Sequence, residues 1–265
     1  MLLNLVRKEL KVKYTGSVLG AIWSLLNPVV FLAVFTFVSK VLGNSIQDYA
    51  VFLLAGLLAW NLFAVSLGTG AQSVVANSNL VKKVYFPREI LPLATVGVAL
   101  VDFVLQSAVY LGIITLFGYG FVLAFVWLYP LAIVAALVFT VAVTFWVSSM
   151  NVRYRDMQHL IGLALLVWFW LTPIVYSART VHTTLAEKSW GALAWRIYLL
   201  NPMAWVVMGL QRALYHSEDA EKVLAPFSVG HLAVGLLVAI AAVTALLYLT
   251  WRLFFAMSGD FAEEL

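Results

Sequence analysis

The sequence predicts an all-α polytopic membrane protein with six transmembrane helices, an N-terminal amphipathic helix, and a re-entrant helical pair between spans five and six. Two observations support this fold class. Hydrophobic residues make up 64% of the 265 residues and charged residues only 11%, whereas soluble domains average roughly 45–50% apolar and 25% charged residues. The apolar residues also occur in runs of the length that a helix needs to cross a bilayer. The composition therefore excludes an ordinary soluble domain.

The N-terminal segment, residues 1–22, is predicted to form an amphipathic helix at the membrane interface. Lys8 and Lys11 lie off its apolar stripe, and the small residues Gly16 and Gly20 permit a tight bend or a close helix approach after it. A simple basic anchor before the first span is the alternative interpretation. The apolar stripe, with i, i+3, i+4 spacing, consists of Leu3, Val6, Leu10 and Tyr14.

Six apolar runs are predicted to span the bilayer within a domain over residues 23–257. The fifth run is only just long enough to cross a hydrocarbon core about 30 Å thick. The last residues, 258–265, are predicted to form an acidic cytoplasmic tail. The predicted spans are 23–42, 50–67, 91–117, 121–150, 160–176 and 232–257.

Between spans five and six, the region 177–228 contains an apolar stretch that is too short to cross. Arg196 and Arg212 bracket fifteen residues, and Asn201-Pro202 interrupts them. Fifteen helical residues reach about 22 Å, less than a bilayer core of about 30 Å. We therefore expect a re-entrant helix or hairpin. A true span here would place the C-terminus on the outer side.

The distribution of basic residues predicts the orientation of the chain. With six spans, both chain ends and the loops 68–89 and 151–158 share one side, which holds ten Lys and Arg residues, against Lys40 alone in the short loops opposite. Positively charged loops stay in the cytoplasm. Both termini of this multi-pass protein are therefore predicted to be cytoplasmic.

No motif for catalysis, nucleotide binding or metal binding occurs in the sequence. A phosphate-binding P-loop and the common hydrolase and metalloprotease motifs are absent. His216 lies near acidic residues, but a solvated acidic loop explains this better than a cation site. We therefore expect no catalytic residue, no metal and no cofactor on this chain, and no nucleic-acid partner.

Asp102 is the only acidic residue well inside a predicted span. A carboxylate inside a membrane is a candidate functional group by default, because its burial is unfavourable. Gln106 lies one helical turn away on the same face and is placed to hydrogen-bond with it. A polar tie between helices is the alternative to a transport role.

Aromatic side chains are concentrated in the first and fifth spans, at Phe31, Phe35, Trp168, Phe169 and Tyr176. Aromatic belts at the two membrane interfaces account for some of them. For the rings predicted near the middle of a span, two alternatives are open. They pack against lipid, or they line a pore in which the ring faces stack against sugars.

Three stretches of the sequence resemble the ABC-2 type permeases of bacterial polysaccharide export. They are 11–28 (KVKYTGSVLGAIWSLLNP), 79–92 (NLVKKVYFPREILP) and 200–203 (LNPM), and they follow one another in the family's order. The second stretch is the most specific. Arg155-Asp156 and Thr172-Pro173 add weaker support.

The resemblance implies a homodimer of six-span subunits that binds two copies of a separate ATPase, which holds the ATP and Mg²⁺. A coupling helix at about 72–86 would dock on that ATPase, residues 2–18 would gate the substrate entrance, and paired helices at about 182–198 and 202–216 would form an outer gate. The implied coupling residues are Asn77, Asn79, Leu80, Lys82, Lys83, Tyr85 and Phe86. The implied gate-helix residues are Lys8, Lys11, Lys13 and Tyr14. The implied outer-gate residues are Asn201, Pro202 and Met203. The implied channel residues are Phe31, Phe35, Trp168, Phe169 and Tyr176.

The function implied by the resemblance is export of a polyprenyl-diphosphate-linked surface polysaccharide, of the O-antigen or teichoic-acid type, across the cytoplasmic membrane. The three gate-helix lysines are placed to attract its diphosphate near the membrane surface. An ABC-2 permease for a drug or small lipid shares the same features and is the first alternative. A membrane lipid-modifying enzyme and a membrane scaffold are less consistent with the sequence.

Overall fold

The part of the chain that the structure describes is helical. A computed structural model describes residues 1–17, 20, 22–41, 46–83, 86–116, 118, 123–217 and 219–265, and these residues contain no β-strand. The helices in these ranges are α1 (Leu2–Tyr14), α2 (Ile22–Val41), α3 (Tyr49–Ala76), α4 (Ser78–Lys83), α5 (Ile90–Leu116), α6 (Leu123–Val126), α7 (Leu128–Arg153), α8 (Met157–Trp170), α9 (Ala178–Ala186), α10 (Gly191–Tyr198), α11 (Pro202–Leu214), α12 (Ala220–Val223), α13 (Val229–Ser258) and α14 (Phe261–Glu264).

Four of these helices, α3, α5, α7 and α13, are long and apolar enough to cross a membrane. They contain 26 to 30 residues and are therefore about 39–45 Å long. They lie where spans two, three, four and six were predicted. The pair α10 and α11 passes the same test only as one unit, and its two helices meet at 82°. Helix α2 covers 20 residues at the position of the first predicted span.

The fifth predicted span forms a shorter helix than expected. Helix α8 has 14 residues and ends at Trp170, so it reaches about 21 Å. Thr172 precedes Pro173, and a residue before proline disfavours the helical conformation, while the proline itself lacks an N–H group. The prediction that this helix continues to Tyr176 is therefore wrong.

Helix α3 continues beyond the predicted end of span two, through residues expected to form a polar loop. It ends at Ala76. A Cβ atom at Gly70 would lie 2.4 Å from Thr144 Cγ2 of α7, so this glycine allows two helices to approach closely. Gly70 therefore serves the packing of α3 against α7, whereas a Cβ atom at Gly68 would meet no atom within 4 Å.

The N-terminal helix is shorter than the predicted range 1–22, because α1 ends at Tyr14. Gly16 follows with φ +76° and Gly20 has φ +51°, values that favour glycine because it has no Cβ atom. The two glycines therefore take backbone conformations that allow the chain to bend after α1, which is one of the two roles expected for them.

The hydrophobic core is centred on α3, which packs against α5, α7 and α11, while α13 packs along α7. Phe52 and Phe63 of α3 are fully buried. The ring of Phe63 stacks on Phe139 of α7 with centroids 5.2 Å apart and planes at 8°. Because α3 is enclosed on several sides, it forms the rigid frame that positions the polar sites described below.

The C-terminal residues fold back onto the helical domain. Phe261 is fully buried, and Glu264 accepts hydrogen bonds from the Arg153 guanidinium, at 2.8 Å from Nη2. The segment predicted as an acidic tail is therefore ordered by an apolar anchor and an ion pair.

Candidate functional site

The loop predicted to couple to an ATPase contains a separate short helix. Residues 72–76 belong to the end of α3, and only α4 forms the helix of the loop. Asn77 lies between them and donates a hydrogen bond from Nδ2 to the Ser73 carbonyl at 2.9 Å. This bond satisfies one of the carbonyl groups that a helix end leaves free, so the asparagine sets the break between α3 and α4.

Helix α4 has one apolar face and one charged face. Val81 is buried and Leu80 is half-buried, whereas Asn79, Lys82 and Lys83 are exposed. We call the residues that hold this helix the α4 cluster. Its buried members are Val74, Val81, Phe86, Leu91, Phe145, Val152, Phe254 and Phe261.

The coupling residues expected from the sequence are thus divided between two environments. Leu80 and Phe86 pack inward, and Asn77 hydrogen-bonds to α3. Asn79, Lys82 and Lys83 point outward. Tyr85 lies outside the described residues.

Helix α1 packs against α5 instead of standing free. A Cβ atom at Gly97 of α5 would lie only 2.7 Å from Val6 Cγ2, so the missing side chain admits Val6. Near its N-terminus, Leu5 packs against the α4 cluster. The N-terminal helix therefore contacts both the coupling loop and the middle of α5.

Asp102 is bound by the last turn of α1. Its Oδ2 atom lies 2.5 Å from Lys13 Nζ, and its Oδ1 atom accepts a hydrogen bond from the Tyr14 hydroxyl at 2.9 Å. Charge-assisted hydrogen bonds of this kind are stronger than neutral ones. The four gate-helix residues are therefore not equivalent, because Lys11 is exposed and Lys8 lies 3.4 Å from Glu9 on the surface.

Gln106 accepts a hydrogen bond from Asn61 Nδ2 of α3 at 3.2 Å. Asn61 is buried in α3, and sequence reasoning did not identify it as a partner. Asp102 and Gln106 lie one helical turn apart on α5. Asp102 thus connects this helix to α1, and Gln106 connects it to α3.

Two of the expected channel aromatics, one from the first span and one from the fifth, come together. Phe35 of α2 lies 6.1 Å from Phe169 and 6.3 Å from Trp170, measured between ring centroids. Phe169 is only 7% exposed and its ring also contacts Trp60 at 5.5 Å. Trp170 is 53% exposed, and the sequence analysis did not assign it a role. The side chain of Phe31 lies outside the described part of the chain.

Trp168 faces the core rather than the α2 side. Its ring lies edge-on to Phe63 at 5.1 Å and to Phe139 at 5.7 Å. Its Nε1 atom donates to Asn201 Oδ1 at 2.9 Å. Trp168 therefore connects α8 to the start of α11.

The Asn201-Pro202 sequence forms the turn between α10 and α11. Asn201 is the N-cap of α11, and its Oδ1 atom accepts from the Met203 amide at 3.0 Å. Pro202 occupies the first helical position, where its missing N–H group is not needed, and Met203 is fully buried. Asn201 Nδ2 also donates to Thr172 Oγ1 at 3.1 Å. One side chain thus caps α11 and ties it to the end of α8.

The irregular segment after α8 is stabilised by side chains from other helices. Gln211 Nε2 donates to the Pro173 carbonyl and the Tyr49 hydroxyl to the Val175 carbonyl, each at 2.9 Å. The Tyr176 hydroxyl donates to the Trp170 carbonyl at 2.7 Å. At membrane depth, non-helical backbone is tolerated where it is buried in protein, as these hydrogen bonds allow, or where it lines a water-filled cavity.

An ion pair links α11 to α12. Arg212 Nη2 lies 2.7 Å from Glu221 Oε1, and this hydrogen bond lowers the pKa of Glu221 below its ordinary value. Within the described residues, no group of three or more His, Asp and Glu side chains is arranged to hold a metal ion. His216 is exposed, and its neighbour at position 218 lies outside the described residues.

Comparisons with known proteins agree with this architecture. Residues 2–215 match the family described as ABC-2 type transporter. The chain is 32% identical over 228 residues to the O-antigen export system permease protein RfbA of Myxococcus xanthus, an alignment that covers 85% of each chain. It is 34% identical over 212 residues to a protein of the same name from Klebsiella pneumoniae, covering 78% of this chain and 77% of that relative. The chain is therefore a multi-pass membrane protein that belongs to the ABC-2 type transporter family.

Proposed function

We propose that this protein is the transmembrane subunit of an ABC exporter for a polyprenyl-diphosphate-linked cell-surface polysaccharide. Two copies form the translocation path, and two copies of a separate ATPase drive it. The names of the two relatives support an O-antigen type of substrate. The family supports a transport subunit whose energy comes from a partner protein.

The observation that carries this proposal is the two-sided character of α4. Its apolar face is held in the α4 cluster, while Lys82 and Lys83 are exposed side by side at its end. A helix anchored in this way moves as a unit with the ends of α3, α7 and α13, which contribute to the same cluster. It is suited to transmit a push from a bound ATPase into the spans.

The proposed membrane arrangement has six spans, with α2 and α8 completing the set formed by α3, α5, α7 and α13. Helices α10 and α11 dip into the outer leaflet as a re-entrant pair, and both termini lie in the cytoplasm. The 82° bend between α10 and α11 supports the re-entrant interpretation. The satisfied carbonyls of Pro173 and Val175 support placing the segment after α8 at membrane depth.

The proposed path for the polysaccharide runs along the face shared by α2 and α8. Phe35 and Trp170 present aromatic rings there, and Phe169 supports them from behind. Aromatic rings bind sugar rings through apolar contact without fixed hydrogen bonds, which suits a chain that has to slide. Lys8 and Lys11, on the exposed side of α1, attract the diphosphate at the cytoplasmic surface.

Charge reversal on α4 tests the coupling assignment. In the proposed interface, Lys82 and Lys83 face an acidic surface of the ATPase. The double variant Lys82→Glu/Lys83→Glu should therefore weaken binding of the ATPase about tenfold or more, because negative charges would face each other across the interface. The measurement is ATPase activity and co-purification with the partner in lipid nanodiscs. Lys188→Glu/Arg196→Glu is the matched control, since both residues are exposed near α10 and the charge change is the same. Unchanged stimulation of the ATPase by the α4 variant would contradict the assignment.

Export itself tests the substrate class. Cells that lack this protein should retain lipid-linked polysaccharide on the cytoplasmic face, and the wild-type chain should restore surface display. Full surface display without the chain, or restoration by the α4 variant to the wild-type level, would contradict the proposed function.

A further inference from the structure

The N-terminal helix is attached to α5 at two points. Val6 fits against Gly97, where a Cβ atom would lie 3.8 Å from Val6 Cβ. About two turns further along α1, Lys13 and Tyr14 bind the two carboxylate oxygens of Asp102. The same face of α1 therefore follows α5 from position 97 to position 102.

Asp102 lies deep in the helical domain. It is about 18 Å along α5 from Ile90, at 1.5 Å per residue, and its side chain is 8% exposed. A buried carboxylate needs a positive or hydrogen-bonding partner. Lys13 supplies the positive partner and Tyr14 a hydrogen-bond donor, and both belong to α1. Removal of α1 from α5 would therefore break these two interactions of the carboxylate.

The pair is arranged so that it can open. The Lys13 side chain is 37% exposed, so the ion pair lies at the edge of the packed core. Gly16 and Gly20 follow α1 with positive φ values and provide a bend that can absorb rotation of the helix. At the other end, a cavity of ≈ 250 Å³ lies between the first turn of α1 and residues Leu80 and Phe86. Helix α1 is thus bound to α5 at its C-terminal end, and its N-terminal end has free space beside α4.

We infer that Asp102 is a positioning residue that latches α1 onto α5 through Lys13 and Tyr14, and that α1 leaves this position in each transport cycle. This inference rests on the proposed function, in which α1 gates the substrate entrance. The α4 cluster contacts α1 through Leu5, so displacement of α4 by the ATPase pulls on the latched helix. When the latch opens, Lys13 loses its ion pair with Asp102 and becomes solvated. The latch therefore gives α1 two discrete positions, bound to α5 and released from it.

A reversible crosslink tests whether α1 has to move. The chain contains no cysteine, and the Cβ separation of 3.8 Å between positions 6 and 97 equals the usual separation of about 3.8 Å in a disulfide. Oxidised Val6→Cys/Gly97→Cys should crosslink, lose at least about 90% of its export, and recover after reduction. The double variant kept reduced, and the single variant Val6→Cys treated with the same oxidant, are the controls. Wild-type export by fully crosslinked protein would overturn the inference.

Thiol labelling tests the role of Asp102 without depending on export. The Val6→Cys thiol should react slowly with a maleimide, because Val6 is 9% exposed. Asp102→Asn should raise the labelling rate about tenfold, as expected for loss of a charge-assisted hydrogen bond. The charge exchange Lys13→Asp/Asp102→Lys should restore slow labelling. Equal labelling rates with Asp102 and with Asp102→Asn would overturn the latch.

The two failures can be told apart. If nanodiscs with the ATPase show faster labelling of the Val6→Cys thiol on addition of ATP, then α1 moves, whatever the substrate is. If cells export no polysaccharide through the wild-type chain, the proposed function fails while this labelling result still stands. If ATP leaves the labelling rate of the Val6→Cys thiol unchanged, although this chain stimulates the ATPase in the same preparation, the latch is overturned. The proposed function is then unaffected.

Discussion

Substitution of Asn201 should break the side-chain connection between α8 and α11. The Asn201 side chain accepts hydrogen bonds from the Met203 amide and from Trp168 Nε1, and it donates to Thr172 Oγ1. In Asn201→Ala, loss of the N-cap costs about 1 kcal/mol. The indole N–H of Trp168, left without an acceptor, adds about 1–3 kcal/mol. The free energy of unfolding should therefore fall by about 2–4 kcal/mol.

Asn201→Asp is the matched variant for this experiment. The carboxylate keeps an acceptor for Met203 and Trp168, and a negative charge at the start of α11 is favourable by about 0.3–1 kcal/mol. It loses the amide donor, which bonds to Thr172 Oγ1 at 3.1 Å and to the Leu171 carbonyl at the longer distance of 3.4 Å, so its loss of stability should be about 1 kcal/mol. The expected order of stability is wild type, then Asn201→Asp, then Asn201→Ala.

The assay is thermal unfolding of the purified protein in detergent, followed by near-UV circular dichroism. A change of 2–4 kcal/mol corresponds to a decrease in Tm of roughly 4–16 °C for a chain of this size. Trp168→Phe and the double variant complete a double-mutant cycle. Direct contact predicts a coupling energy of about 1 kcal/mol, so effects that add within about 0.3–0.5 kcal/mol would refute the proposed connection.

Two further predictions concern the region between α11 and α13. Because Arg212 lowers the pKa of Glu221, the ion pair stabilises the protein above the ordinary value of 4.5, and this contribution is lost as the pH falls through the lowered pKa. Glu221→Gln should therefore lower Tm at pH 7, and its Tm difference from the wild type should shrink as the pH falls below 4.5. Since Glu221 is 73% exposed, the effect should stay below about 1 kcal/mol. A Tm difference that is as large at low pH as at pH 7 would contradict the pairing. A Cβ atom at Gly235 would lie 2.1 Å from the Trp205 ring, so Gly235→Ala should reduce the stability by about 1–3 kcal/mol. Gly230→Ala, on the same helix with no atom within 4 Å of the added Cβ, is the control, and equal Tm values for the two variants would contradict the close packing.

Several local features could be predicted because they depend on neighbouring residues alone. The bend at Gly16 and Gly20 follows from the conformational freedom of glycine. The interruption at Asn201-Pro202 is the junction of α10 and α11, because asparagine is a good N-cap and proline is tolerated at the first helical position. The positions of α3, α5, α7 and α13 follow from the length of their apolar runs.

Other features depended on contacts between distant parts of the chain. The sequence placed seven coupling residues in one loop but could not separate Phe86, which packs inward, from Lys82 and Lys83, which point outward. The early end of α8 was missed, although Thr172-Pro173 was a signal that could have identified it. Trp170 received no role because its exposure and its contact with Phe35 depend on how α2 lies beside α8.

Asp102 illustrates the division between sequence and tertiary structure. By itself the sequence determined that a carboxylate lies in the middle of an apolar helix and therefore needs a partner, because an unpaired charge is unfavourable in a medium of low polarity. Only the tertiary structure decided that the partners are Lys13 and Tyr14, 89 and 88 residues away. The choice depends on the missing side chain at Gly97, which allows α1 to approach α5 closely enough for the two groups to reach the carboxylate. Hydrophobicity sets the number and length of the helices, whereas the close approach of particular helices sets which polar groups meet.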